Sequence, residues 1–216
     1  MDLTDLRSLS YAVVDVETTG TRVNGDRVME IGIVHVRDGV ATTVLDVLVN
    51  PQIPVSLWST RVTGIRWEML HEAPTFGDVV ERVQAALEGH VFVAHNARFD
   101  WRFVSAELKR VTGRGLHVNG HSRRLCTVKF ARKLLPFLLR RNLDSLAWHY
   151  EVPIIGRHRA GGDARATAQV LLRMFADARR QDVDTWEHLQ AFMRAPRPHA
   201  ARSYLPQPVT NTEAVA

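Results

Sequence analysis

The dipeptide Asp38-Gly39 separates two β-branched runs, Val28 to Arg37 and Val40 to Val49, and no other stretch of the chain constrains its fold as strongly. Asp-Gly between apolar runs favours a two-residue turn with positive φ, which pairs the flanking strands antiparallel. Tyr11 to Val16 reads as another strand ahead of that hairpin, with acids at its far end. Val91-Phe92-Val93-Ala94 is short and wholly apolar, the pattern of a buried strand. Around it the periodicity becomes helical. Val79, Val80, Val83, Ala86 and Leu87 share one face of a helix from Phe76 to Leu87 with Gly89 as its stop, and Phe99 to Val111 repeats that spacing. Strand, helix, strand, helix predicts an α/β domain. Past Arg124 the pattern is mostly helical, over Thr127 to Leu135, Leu143 to Tyr150, Asp163 to Arg180 and Asp184 to Arg194.

A chain of 216 residues has room for one domain with a sizeable core, so residues 1–195 are expected to form one unit. From Pro196 the chain turns rich in Pro, Ala and Thr without apolar periodicity, which predicts a disordered tail or docking segment over 196–216. No apolar run approaches the roughly 20 residues that cross a bilayer. The acidic start, Met1-Asp2-Leu3-Thr4-Asp5, lacks the basic-then-apolar order of a secretory signal, and a cytoplasmic location is expected. With a single cysteine, Cys126, an internal disulfide and a cysteine-built zinc site are excluded, and Cys126 is expected to be a small buried side chain. The net charge is +5, carried mostly by arginine, whose planar fork suits phosphate oxygens.

Three segments carry candidate chemistry. In Asp15-Val16-Glu17-Thr18-Thr19-Gly20 the two acids are two apart on a strand, so they share a face while Val16 points to the other. Such a pair either converges on a Mg²⁺ or Mn²⁺ ion or simply faces water. Asp100 in His95-Asn96-Ala97-Arg98-Phe99-Asp100 falls where a buried strand gives way to a helix; it either joins those acids or serves the helix dipole. In His158-Arg159-Ala160-Gly161-Gly162-Asp163-Ala164, Asp163 offers a fourth carboxylate on a helix and His158 an imidazole on a loop, suited to accept a proton near neutral pH. A loop histidine with an N-cap aspartate is the plainer reading of that segment.

In order and spacing, these three segments resemble the exonuclease motifs of the DEDDh, or DnaQ-like, 3′→5′ exonucleases, a group that includes the epsilon proofreading subunit of bacterial DNA polymerase III, oligoribonuclease and RNase T. Thr63-Gly64-Ile65 followed by Ala73-Pro74 is similar to the epsilon-like branch, and the resemblance covers roughly residues 10 to 180. It implies an RNase H-like fold: a mixed sheet of about five strands, one of them antiparallel, flanked by helices. It further implies that Asp15, Glu17, Asp100 and Asp163 hold two divalent cations, Mg²⁺ or Mn²⁺, with His158 as general base. Thr18, Thr19, Asn96 and Phe99 would surround the terminal nucleotide. The implied substrate is nucleic acid, DNA ahead of RNA, with a DNA polymerase catalytic subunit as implied partner.

The runner-up reading keeps the chemistry on RNA 3′ ends; a non-catalytic nucleic-acid-binding module is disfavoured by the complete acid set. No convincing clamp-binding motif occurs between Gln181 and Ala216, which leaves a stand-alone nuclease open. Arg123, Arg124, Lys129, Arg132, Lys133, Arg140 and Arg141 form either a track for the phosphodiester backbone or a solvated helical face.

Overall fold

The computed structural model describes residues 4–116 and 123–196. From residue 197 onward the expected tail lies outside them. The described chain forms a five-stranded sheet in the order β3-β2-β1-β4-β5, with β1 at Tyr11–Thr18, β2 at Val28–Arg37, β3 at Val40–Leu48, β4 at Val91–Ala94 and β5 at Arg124–Cys126. The one antiparallel strand is β2, which runs against both β1 and β3, while β4 and β5 run parallel to β1. Asp38 and Gly39 close the β2–β3 hairpin at φ 51° and 78°, the two left-handed residues its turn requires.

The helices are α1 (Leu57–Thr63), α2 (Trp67–Leu70), α3 (Phe76–Leu87), α4 (Arg98–Thr112), α5 (Thr127–Leu134), α6 (Leu143–His149), α7 (Ala160–Arg179) and α8 (Trp186–Arg194). α3 has the limits read from its apolar stripe, and the later helices shift by a few residues at most. α1 and α2 carry no apolar stripe and were not expected; caps define α1, through the Ser56 side chain on the Ser59 amide and Gly64 at φ 72°. Three-residue β5 was masked by the helical pattern that follows it at once.

Period-two alternation splits the core in two. Tyr11 and Val13 of β1, with Val34, Val36, Val91, Val93 and Leu125, face the layer of α5, α6, α7 and α8. Ala12, Val14 and Val16, with Ile31, Ile33, Phe92 and Ala94, face α3 and α4. Cys126 is half-buried at the end of β5 rather than fully enclosed, packing against the edge of the second layer. Among the described residues no helix is long and apolar enough to cross a membrane.

Candidate active site

The alternation that divides the core also aims the acids. Asp15 and Glu17 lie in step with Tyr11 and Val13, so they project on the α7 side, while Val16 enters the α3–α4 layer. The β1–β2 register shifts between Glu17 and Thr18, a bulge at the end of the strand. Across the sheet Glu17 is opposite Glu30 and Asp15 opposite Gly32. Gly32 lets the first turn of α7 approach: a Cβ there would stand 2.5 Å from the backbone carbon and oxygen of Ala160. That approach brings Asp163 onto the β1 acids, and carboxylate oxygens of Asp15, Glu17 and Asp163 lie within 4.8 Å of one another. Asp100 lies outside that group of three but adjoins it from the other layer: buried in the first turn of α4, it acts on Asp15 through its charge, and its Oδ1 accepts the Val16 amide at 3.3 Å.

The cluster is electrostatically strained. Burial, with the charges of Asp100, Glu17 and Asp163, pushes Asp15 well above the usual carboxylate range. Burial, then Asp163 and Glu30, raises Glu17 to about 7. Burial raises Asp100 to about 8 against the opposing effect of its backbone hydrogen bonds, and burial also raises Asp163. Arg157 offsets part of this charge. It pairs with Asp163 and, at 2.8 Å, with Asp144 in the first turn of α6.

Hard, closely spaced oxygen donors suit a divalent cation. Asp163 Oδ1 adds a specific sign of fit, being buried without a hydrogen-bond partner. An acceptor of that kind is costly to bury unless something positive faces it.

His158 lies beside the cluster on an exposed loop at φ 61°, with its amide donating to Asp163 Oδ2 at 3.3 Å and Arg157 Nη1 3.3 Å from its Nδ1. Thr18 and Thr19 are buried and shape the β1–β2 loop: Thr19 Oγ1 bonds Asp26 and the Arg27 amide. Serine hydroxyls of Ser56 and Ser59 fasten α1 to the Thr19 and Thr18 carbonyls. Asn96, exposed at φ 74°, turns the chain from β4 into α4, and Phe99 is part-buried against Phe103 with centroids 4.8 Å apart. Arg157, Glu30 and Arg159 also belong to the site, though none of the three sequence motifs assigns them a role. For Glu30 a signal existed, an isolated acid inside the apolar run Val28-Met29-Glu30-Ile31.

A family model described as an exonuclease, RNase T, matches residues 12–171, about three quarters of the chain. The chain belongs to the RNase T exonuclease family. All four acids and His158 fall inside the matched span of this exonuclease domain. It is 37% identical over 164 residues to a PolC-type DNA polymerase III from Caldanaerobacter subterraneus, an alignment that covers 76% of this chain and 11% of the polymerase. It is 29% identical over 180 residues to the 3′-5′ exonuclease DinG of Staphylococcus saprophyticus, covering 83% of this chain and 19% of DinG. The chain thus spans only a tenth to a fifth of the length of these relatives. Among solved structures, Exonuclease X in complex with 5′ overhanging duplex DNA superposes with a TM-score of 0.63 at 25% identity, covering 85% of this chain and 99% of that one. That likeness identifies the five-stranded sheet and its helices as the RNase H-like exonuclease fold.

Proposed function

We propose that this chain removes nucleotides from the 3′ end of DNA, at single-stranded or mispaired termini, with two divalent cations, Mg²⁺ or Mn²⁺, held by Asp15, Glu17, Asp100 and Asp163. The observation that carries this reading is the meeting of three carboxylates from β1 and α7 around the orphaned Asp163 Oδ1, with Asp100 against the Val16 amide. When bound, such cations supply positive charge to the attacking and departing oxygens of a phosphodiester. The protein's own groups do the rest. His158 takes the proton of the attacking water, and its loop, exposed beside Asp163, is open to a substrate. Thr18, Thr19, Asn96 and Phe99 border the terminal nucleotide. The names of the relatives, a DNA polymerase and a 3′-5′ exonuclease, favour DNA and favour work beside a polymerase catalytic subunit, as in proofreading.

Digestion of single-stranded DNA, mismatched primer-template and short RNA, each with Mg²⁺ or Mn²⁺, tests the assignment. The expected result is stepwise 3′ shortening of both DNA substrates, stopped by EDTA. His158→Ala is expected to slow turnover about 10²- to 10⁴-fold while divalent-cation binding persists. Preferential RNA digestion overturns the DNA assignment, and EDTA-resistant turnover overturns the cation assignment.

A further inference from the structure

The seven basic residues between Arg123 and Arg141 do not act as one surface. Arg123 lies over the Trp186 ring and Arg124, at the start of β5, 4.5 Å over Trp101, while Lys133 donates to the Ala195 carbonyl. Arg132 and Arg141 instead line a cavity of about 390 Å³ with His95, Asn96, Leu139 and Asn142. That volume is in the range of nucleotide-sized ligands. We infer that this cavity is a binding subsite for a phosphodiester of the nucleic-acid strand, upstream of the terminal nucleotide.

Position is the first support. His95 and Asn96 lead directly from β4 into α4, which carries Asp100, and Asn142 caps α6, whose Asp144 holds the Arg157 that pairs with Asp163. His95 in the cavity wall feels the charges of both Arg157 and Asp144, so the cavity adjoins the ion-pair chain that reaches Asp163. A strand with its 3′ end at the acids has this cavity as its neighbour.

Charge is the second. Among the described residues Arg132 has no acidic partner, and Asp144 is already committed to Arg157. His95 is kept neutral, at about 4, chiefly by burial, with its Nδ1 2.9 Å from Thr127 Oγ1. The lining is thus net positive. Arg141 supplies the third observation: its Nη2 donates to the Leu135 and Pro136 carbonyls at 3.2 and 3.0 Å, yet its Nε is buried with no partner. The two carbonyls hold the guanidinium in place at the cavity wall, where its charge attracts an anionic oxygen, the ligand that arginine matches best. Leu139, 96% exposed, adds an apolar surface for the sugar or base.

The inference rests on the proposed exonuclease reading, and the test separates the two. Wild type and Arg132→Glu are compared on a DNA decanucleotide and on the p-nitrophenyl ester of thymidine 5′-phosphate, which has no upstream phosphate. Binding of the labelled decanucleotide is measured in EDTA across salt concentrations. Arg132→Glu is expected to raise the decanucleotide KM about tenfold relative to that of the ester, and to lower the salt slope of binding by about 0.7, the value of one phosphate contact on a single strand. Arg141→Gln is expected to raise the same KM ratio. Unchanged ratios and an unchanged slope overturn the subsite. If wild type hydrolyses neither substrate, the exonuclease reading fails, while the EDTA binding arm still decides whether the cavity holds a strand.

Discussion

Arg159 donates to Glu30 through Nε at 2.9 Å and Nη2 at 2.6 Å, while the Glu30 carboxylate also accepts the Ala160 amide at 2.8 Å. One buried acid on β2 therefore does what a local N-cap does elsewhere, since the side chain of Arg159, the N-cap residue, accepts from none of the amides of α7. The same contact fixes the first turn of α7, and with it Asp163, over β1. Arg159 also balances the charge that Glu30 imposes on Glu17 across the strand pair.

Glu30→Ala removes the cap and leaves the Ala160 amide without its acceptor. It is expected to cost about 2–3 kcal/mol of stability, less than a fully enclosed pair because the partly exposed Arg159 can return to water. Urea denaturation measures this, and a cost under about 0.5 kcal/mol contradicts the capping role.

Gly32→Ala tests the approach of α7 independently of charge. The new Cβ would stand 2.6 Å from the Gly161 nitrogen, and because both neighbours are backbone the helix must move. A loss of about 1–3 kcal/mol is expected, together with weaker divalent-cation binding by calorimetry. Wild-type stability and cation affinity would show that the packing tolerates a methyl group.

Asp15→Ala separates ligation from folding. It removes one of several like charges and no core volume, so hydrolysis is expected to vanish while the metal-free melting temperature at pH 8 stays equal or rises. Retained turnover contradicts the role of Asp15 as a cation ligand; a large fall in melting temperature contradicts the electrostatic account of the cluster.

The raised acids also set a pH dependence. Glu17 at about 7 and Asp100 at about 8 hold protons in the folded protein over a range where the unfolded chain, with carboxyls near their ordinary values, has released them. The folded state binds more protons there, so the stability of the metal-free protein falls as pH rises from about 5 to above 8. A divalent cation held by these acids would bind their ionised form, and Mg²⁺ or Mn²⁺ is therefore expected to raise the melting temperature more at pH 8.5 than at pH 5.5. Thermal melts at both pH values, with and without cation, check this; a flat metal-free profile or the reverse ordering overturns it.

Much of this fold was legible from local pattern. The Asp38-Gly39 turn, the helix over Phe76–Leu87 and the buried run Val91–Ala94 emerged where the residues predicted, because turn chemistry and apolar periodicity act over a few residues. α1, α2 and β5 did not, since caps or a single buried side chain define them. The spacing of Asp15 and Glu17 likewise fixed that they share a face, but not which layer covers it.

That second question belongs to the tertiary structure. The sequence alone determined which carboxylates exist, which neighbours alternate and that the chain is of the exonuclease kind. Only the assembled sheet decided that Gly32 admits α7, that Glu30 caps it in place of a local side chain, and that Arg132 and Arg141 part company with Arg123 and Arg124. Contacts such as Glu30 with Arg159 join residues 129 positions apart, and nothing in local periodicity encodes which distant partner a side chain will meet.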